Sequence, residues 1–166
     1  SSLGTFKLLK QAVKYKVKRF IYASSGSVYG IKKEKKVVEN LDLKPISLYN
    51  KVKMCTERIV MSFQSDIETF IIRPATICGY SPRMRFDLTV NEFVMEILAT
   101  SKLRVFGEQF WRPYVHVRDA ARAISTVLGS NSSKVAGQVF NVGSTKQNYQ
   151  KKQLVEMIRP YAHDAI

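Results

Sequence analysis

Tyr49 and Lys53 stand four residues apart in the stretch ISLYNKVKMCTERIVMSF, a spacing that brings two side chains together on one face of a helix. Such a pair has two uses. The lysine can be a solvated charge beside a half-buried ring, or the two can move protons together. A free phenol ionises near about 10, too high for a base at neutral pH. A fixed ammonium one turn away favours the phenolate and lowers that value. Spacing alone does not choose, because eight tyrosines give about one such pair by chance and the chain holds two, Tyr49/Lys53 and Tyr29/Lys33. Context separates them. Tyr29 is followed by Gly30 and a charged loop, whereas Tyr49 opens a long helical pattern. Upstream, RFIYASSGSVYG places Ser24 and Ser25 just beyond a short apolar run. A hydroxyl there could steer a substrate oxygen toward Tyr49.

The elements that must hold these groups alternate along the chain. Apolar spacing over residues 5–15 predicts a helix (Phe6, Leu8, Leu9, Ala12, Val13) and RFIYASS a buried strand. A lysine-rich loop containing Pro45 leads to a helix over 47–63, with Ile59, Val60 and Phe63 on its apolar stripe. TFIIRPATI reads as a second buried strand, stopped by Pro74. Residues 88–100 predict a helix, LRVFG a brief strand, YVHV another, and 119–128 an alanine-rich helix. QVFNVG is the last strand, before a helix over 154–158. Strands and helices that alternate in this way imply βαβ units and a parallel sheet. In open sheets of that class ligands sit beyond the carboxyl ends of the strands, where Ser24 and Ser25 fall.

Bulk properties narrow the function further. The 166 residues, 45% hydrophobic and 11% aromatic, suit one globular domain. No apolar run reaches the roughly 20 residues of a membrane span, and no zinc-finger or other metal-ligand spacing appears. Cys55 and Cys78 lie in apolar segments, read as small buried hydrophobes, and indicate a reducing, cytoplasmic setting. The net charge of +14 is concentrated in KQAVKYKVKR and IKKEKK. It could serve nucleic acid, an acidic membrane or a phosphorylated small substrate. No RNA-binding aromatic motif or arginine-rich arm accompanies it, which argues against nucleic acid. His116 alternates with Val115 and Val117 on a strand and reads as structural.

In their order along the chain these segments resemble the extended short-chain dehydrogenases/reductases, specifically the NAD-dependent nucleotide-sugar epimerase/dehydratase group that includes UDP-glucose 4-epimerase-like enzymes. LGTFKLLKQAVKYKVKRFIYASSGSVYG resembles the helix and strand that carry a catalytic serine or threonine, and YNKVK the Y-x-x-x-K motif. IIRPATICG resembles the strand beside nicotinamide, RVFGEQFWRPYVHVRDAARAI the stretch with a phosphate-binding arginine, and QVFNVGS a late strand. The resemblance implies an α/β fold: part of a Rossmann-like, doubly wound parallel sheet with a small substrate-binding region. Residues 1–80 would be the C-terminal half of the NAD-binding domain. Residues 81–166 would be mainly substrate-binding, returning to the sheet near 113–128.

It also implies roles. Ser25 orients the sugar oxygen, Tyr49 is the general base or acid, and Lys53 holds the nicotinamide ribose. Ala23, Ser24, Pro74, Ala75 and Thr76 line the nicotinamide. Asn91, Val105 and Arg112 contact the nucleotide and diphosphate, with Arg83, Arg85 and Arg118 next in line for the phosphates. The cofactor is NAD, with NADP as the alternative, the substrate a nucleotide-diphosphate sugar, and the full-length enzyme a homodimer. Dehydratases of the group carry Asp-Glu after the catalytic threonine, and decarboxylases a glutamate at the second position. Gly26 and Ser27 stand there, which favours epimerisation through a keto sugar.

One expected motif is missing. The group's G-x-x-G-x-x-G lets a helix N-terminus approach the cofactor pyrophosphate. The eight glycines here stand at 4, 26, 30, 79, 107, 129, 137 and 143, none closer than four apart. The chain also starts where members show N-x-x-G-T, with Ser1 in the asparagine's place. These features predict a carboxyl-side portion of a longer enzyme, inactive by itself, or alternatively a non-catalytic binding or regulatory module on the same scaffold; a nucleotide-sugar reductase or dehydratase is the other alternative.

Overall fold

A computed structural model describes residues 2–34 and 36–161. The chain divides into two compact units. The first, residues 1–75 and 121–142, is built on a three-stranded parallel sheet. Its strands are β1 (Arg19–Ala23), β2 (Glu68–Pro74) and β5 (Val139–Val142), in the order β1-β2-β5. Register runs Arg19 opposite Glu68 through Ala23 opposite Ile72, and Ile71 opposite Val139 through Pro74 opposite Val142.

Strand alternation sends side chains to two faces, and helices cover both. On one face α1 (Ser2–Lys14) brings Leu9 and Ala12, and α2 (Leu48–Met61) brings Val60. They pack on Ile71, Phe20, Tyr22 and Val139. On the other, Val127 of α4 (Val117–Gly129) and Val135 of α5 (Ser132–Val135) pack on Phe70, Ile21 and Phe140. Phe70 and Ile71, neighbours on β2, thus anchor opposite layers, and neither touches solvent. Cutting either back to alanine would cost roughly 2–5 kcal/mol.

Helix ends follow from local chemistry. α1 stops where Lys16 takes the left-handed conformation (φ 53°). There Val17 N–H reaches Ala12 O at 2.9 Å and Lys16 N–H reaches Val13 O at 3.0 Å. That pair of bonds is a Schellman closure, here made without the usual glycine. α2 starts at Ser47, whose Oγ accepts from Asn50 N–H at 3.2 Å, a serine N-cap.

The second unit, residues 76–120 and 143–166, holds β3 (Thr76–Cys78), β4 (Trp111–His116) and β6 (Asn148–Gln150). β3 pairs with β4 in parallel and β4 with β6 antiparallel. Phe93 of α3 (Thr89–Thr100), Tyr114 of β4 and Leu154 of α6 (Lys151–Ile158) form its core.

The alternating α/β pattern and the parallel sheet agree with the sequence, while the strand β6 and the short helix α5 were not expected and three further points differ. TFIIRPATI is two strands rather than one, parting after Pro74. LRVFG is not a strand: Leu103 and Val105 turn inward onto the Phe93–Tyr114–Leu154 cluster without a ladder partner. And Cys55 is exposed, not buried. Among the described residues no helix is long and apolar enough to cross a membrane.

Candidate active site

The first unit assembles its chemistry at the carboxyl end of β1. Ser24 continues the ladder, its N–H donating to Ile72 O at 2.8 Å. Its hydroxyl is buried (residue 5% exposed) and has no hydrogen-bond partner in the structure. Buried hydroxyls are normally satisfied, so an orphan at a strand's carboxyl end is a place to look for a ligand.

Ser25 is extended (φ −158°, ψ 143°) and caps a single 3-10 turn, Gly26–Tyr29. Its Oγ accepts from Ser27 N–H at 3.2 Å and lies 2.8 Å from Ser27 Oγ. Ser27 Oγ in turn donates to Asn50 Oδ1 at 2.7 Å, linking the serine turn to the first turn of α2. Gly26 lacks a side chain where one would be tight: a Cβ would lie 3.2 Å from Pro74 O.

α2 presents Tyr49, 58% exposed, and Lys53 one turn on. Lys53 Nζ donates to Ala23 O at 2.7 Å. It lies 5.0 Å from the Tyr22 ring centroid and 5.6 Å from that of Tyr49, within the range of cation–π attraction. Burial pulls this ammonium below the usual lysine value, against the opposing pull of Glu57. Ser25, Tyr49 and Lys53 therefore belong to one unit, with Lys53 fastened to the strand that leads into Ser25.

Behind this face lies a buried polar network. Arg73 meets Glu57 through Nε–Oε1 at 3.0 Å and Nη2–Oε2 at 2.7 Å. Its Nη1 donates to Tyr29 Oη at 2.8 Å and to Glu39 O at 3.2 Å. Tyr29 Oη donates onward to Asn141 Oδ1 at 2.8 Å. Burial works against the charge on Arg73, but Glu57 and Tyr29 more than offset it and raise its pKa. Tyr29 is thus buried and fully engaged, and the Tyr29/Lys33 spacing carries no helix.

In the second unit Thr76 opens β3. Asn91 is buried, its Oδ1 accepting from Gly79 N–H at 3.1 Å and its Nδ2 donating to Arg85 O at 3.0 Å, so it organises two loop backbones. Val105 packs against the local core. Arg112 projects from β4 with an exposed side chain, opposite Tyr149 in register. Arg85 grips Asp87 through two bonds, 3.1 and 2.6 Å, and holds that carboxyl below the usual aspartate value. His116 Nδ1 accepts Arg118 N–H at 3.2 Å, a structural use at the start of α4.

Sequence reasoning missed Asn50, Ser27, Glu57 and Arg73 as parts of this apparatus. Asn50 and Ser27 were legible only as short polar residues inside the motifs. Glu57 had a clearer signal, a charge on the helix face that also carries Val60.

The model of the family described as NAD dependent epimerase/dehydratase matches residues 1–143. Among curated proteins, the uncharacterized UDP-glucose epimerase YtcB of Bacillus subtilis (strain 168) is 30% identical over 144 residues, covering 85% of this chain and 44% of the relative. Among solved structures, MoeE5 in complex with UDP-glucose and NAD superposes with a TM-score of 0.84 at 25% identity, over 96% of this chain and 53% of that one. The UDP-glucuronic acid 4-epimerase from Bacillus cereus, in complex with UDP-glucuronic acid and NAD, gives 0.83 and 25%, over 96% and 50%. The chain spans about half the length of these relatives. With the Y-x-x-x-K helix beside the serine turn and the match extending over most of its length, the chain belongs to the NAD-dependent epimerase/dehydratase family.

Proposed function

We propose that these residues form the catalytic and sugar-nucleotide side of an NAD-dependent epimerase acting on a nucleotide-diphosphate sugar. The observation that carries the reading is the Ser25–Tyr49–Lys53 set in one unit, with Lys53 clamped at 2.7 Å to Ala23 O. Residues 1–80 would supply the later part of a doubly wound Rossmann-like sheet and 81–166 most of the substrate contacts, in an enzyme that works as a cytoplasmic homodimer.

The residues fit one end of the cofactor. The unpartnered Ser24 hydroxyl, the exposed Ala23 and the Lys53 ammonium suit a nicotinamide riboside, and Pro74 and Ala75 of the same unit are assigned to the same ring. The sequence holds no glycine turn for the pyrophosphate. NAD, or NADP in its place, supplies a hydride acceptor and donor when bound. Tyr49 Oη takes the proton of the sugar hydroxyl and later returns it, work worth roughly 10²–10⁴-fold in rate. Ser25 Oγ orients the same oxygen. Lys53 holds its positive charge 5.6 Å from the Tyr49 ring centroid. Arg112 offers a two-pronged grip on phosphate oxygens. Neither Gly26 nor Ser27 can act as a carboxylic acid, so neither position supplies an acid for expelling a sugar hydroxyl, which favours epimerisation over elimination.

The test incubates the complete gene product with NAD and a panel of UDP-, GDP- and dTDP-hexoses, following products by NMR. An epimer lost in Tyr49→Phe supports the reading. A 4-keto-6-deoxy sugar as main product sinks it. The other reading, a binding module without turnover on the same scaffold, predicts nucleotide-sugar binding and no product.

A further inference from the structure

The hydrogen-bonded chain Ser25–Ser27–Asn50 can be counted proton by proton. Asn50 Oδ1 can only accept, so the bond at 2.7 Å takes the proton of Ser27 Oγ. Ser27 Oγ then has only lone pairs left for Ser25, and the contact at 2.8 Å takes the proton of Ser25 Oγ. Ser25 Oγ also receives Ser27 N–H at 3.2 Å. What remains to Ser25 is a lone pair. In this state it can accept from an alcohol, but it has no proton to offer a ketone.

An asparagine amide has an acceptor end and a donor end on one short side chain. Turning it over gives Ser27 Oγ a proton from Nδ2, and both hydroxyl protons rotate the other way. Ser25 O–H then points outward. No covalent bond is made or broken in the reversal; the hydrogen bonds exchange donor for acceptor as the hydroxyl rotors and the amide turn.

We propose that Ser27 and Asn50 are positioning residues that set the polarity of the Ser25 hydroxyl, the Asn50 amide reversing it between the alcohol and ketone stages of the substrate. The inference rests on the proposed role of Ser25 at the reacting oxygen. It explains why the residue after the motif tyrosine is an amide tied to the serine turn rather than a solvated side chain. All three residues are partly buried within one unit, so the chain is shielded but close to the site surface.

The test has two arms. Asn50→Asp keeps the shape and the acceptor but has no N–H to give. By carboxyl ¹³C NMR on the folded protein, the carboxylate introduced by Asn50→Asp should titrate at least about 0.5 pH unit lower than in Asn50→Asp/Ser27→Ala, because the Ser27 hydroxyl donates to its ionised form. Lys51 and Lys53 act equally in both variants and cancel. Equal midpoints overturn the relay whether or not the protein turns over. In the active holoenzyme, Asn50→Asp should hold the KM for the alcohol substrate within about twofold while released keto sugar rises about tenfold. Ser27→Ala should raise released keto sugar as Asn50→Asp does, and Ser27→Thr, which restores the hydroxyl, should bring that release back down. Wild-type partitioning in Asn50→Asp overturns the reversal. A wild-type enzyme with no turnover on any nucleotide sugar overturns the proposed function instead, and the titration still decides the relay.

Discussion

Arg73 and Glu57 form a two-bond ion pair with side chains only 6% and 5% exposed, joining β2 to α2 directly behind the serine turn. Removing one partner strands the other charge in the interior. Glu57→Ala should therefore lower stability by about 3–5 kcal/mol in urea denaturation. The double variant Arg73→Met/Glu57→Leu should cost less than the two single changes added together. Additive losses would mean that the two charges act independently.

Tyr49→Phe and Tyr29→Phe should fail in different ways. Tyr49 is exposed, so Tyr49→Phe should leave the unfolding curve in place while turnover of the complete gene product falls roughly 10²–10⁴-fold. Tyr29 accepts from Arg73 and donates to Asn141, so Tyr29→Phe should lose about 1–3 kcal/mol of stability. Its effect on kcat should be small. Wild-type activity in Tyr49→Phe would end the proton-transfer reading.

Lys53 offers a pH test with a definite sign. Burial depresses its folded value, so the unfolded chain holds that proton more tightly. Stability relative to Lys53→Met should rise as pH climbs from the folded value toward the ordinary lysine value of about 10.4. Paired urea titrations of the two proteins in that window measure it. A difference that falls with pH would contradict the burial.

Arg112→Lys in the complete gene product should raise KM for the nucleotide sugar more than it lowers kcat, because an ammonium cannot copy the two-pronged phosphate grip. An unchanged KM would move the diphosphate to Arg83 or Arg118. Arg85 is the weaker substitute, since Asp87 already occupies its guanidinium.

These 166 residues by themselves should bind NAD no tighter than about millimolar, since only nicotinamide-side groups are present. Isothermal titration showing micromolar affinity would place a pyrophosphate site where no glycine turn exists. The two thiols give an independent check of the packing. Cys55 is exposed, while burial pushes the Cys78 thiol up. Iodoacetamide at pH 8 should modify Cys55 about tenfold faster or more.

What the sequence revealed was mostly periodicity. RFIYA and TFII are apolar because helices cover both faces of their sheet, and that pattern survives without any knowledge of neighbours. LRVFG looked the same for a different reason: Leu103 and Val105 alternate into a local core while their backbone finds no strand. β6, with only Asn148, Tyr149 and Gln150, had no apolar run to announce it. The trio proposed to be catalytic, Ser25, Tyr49 and Lys53, was named from motif order, and the structure puts all three in one unit. Its supports were not legible there, because the Ser27–Asn50 bond joins residues 23 apart and the Arg73–Tyr29 bond residues 44 apart. Long-range polar pairing leaves no periodic trace.

Gly26 has a consequence for how such a site can change over generations. With Pro74 O only 3.2 Å from where a Cβ would stand, any side chain at 26 asks the end of β2 to give way by a few tenths of an ångström. A carboxylate at that position would bring new acid–base chemistry to the sugar. Its arrival and the yielding of the backbone would have to coincide, or the first change would be felt as strain before it was useful as an acid. Replacing the neighbouring Ser27 cuts the link to Asn50. Under the proposed epimerisation, a change at either of these two positions toward elimination therefore loses something before it gains anything, which would make that chemistry a local optimum with steep walls.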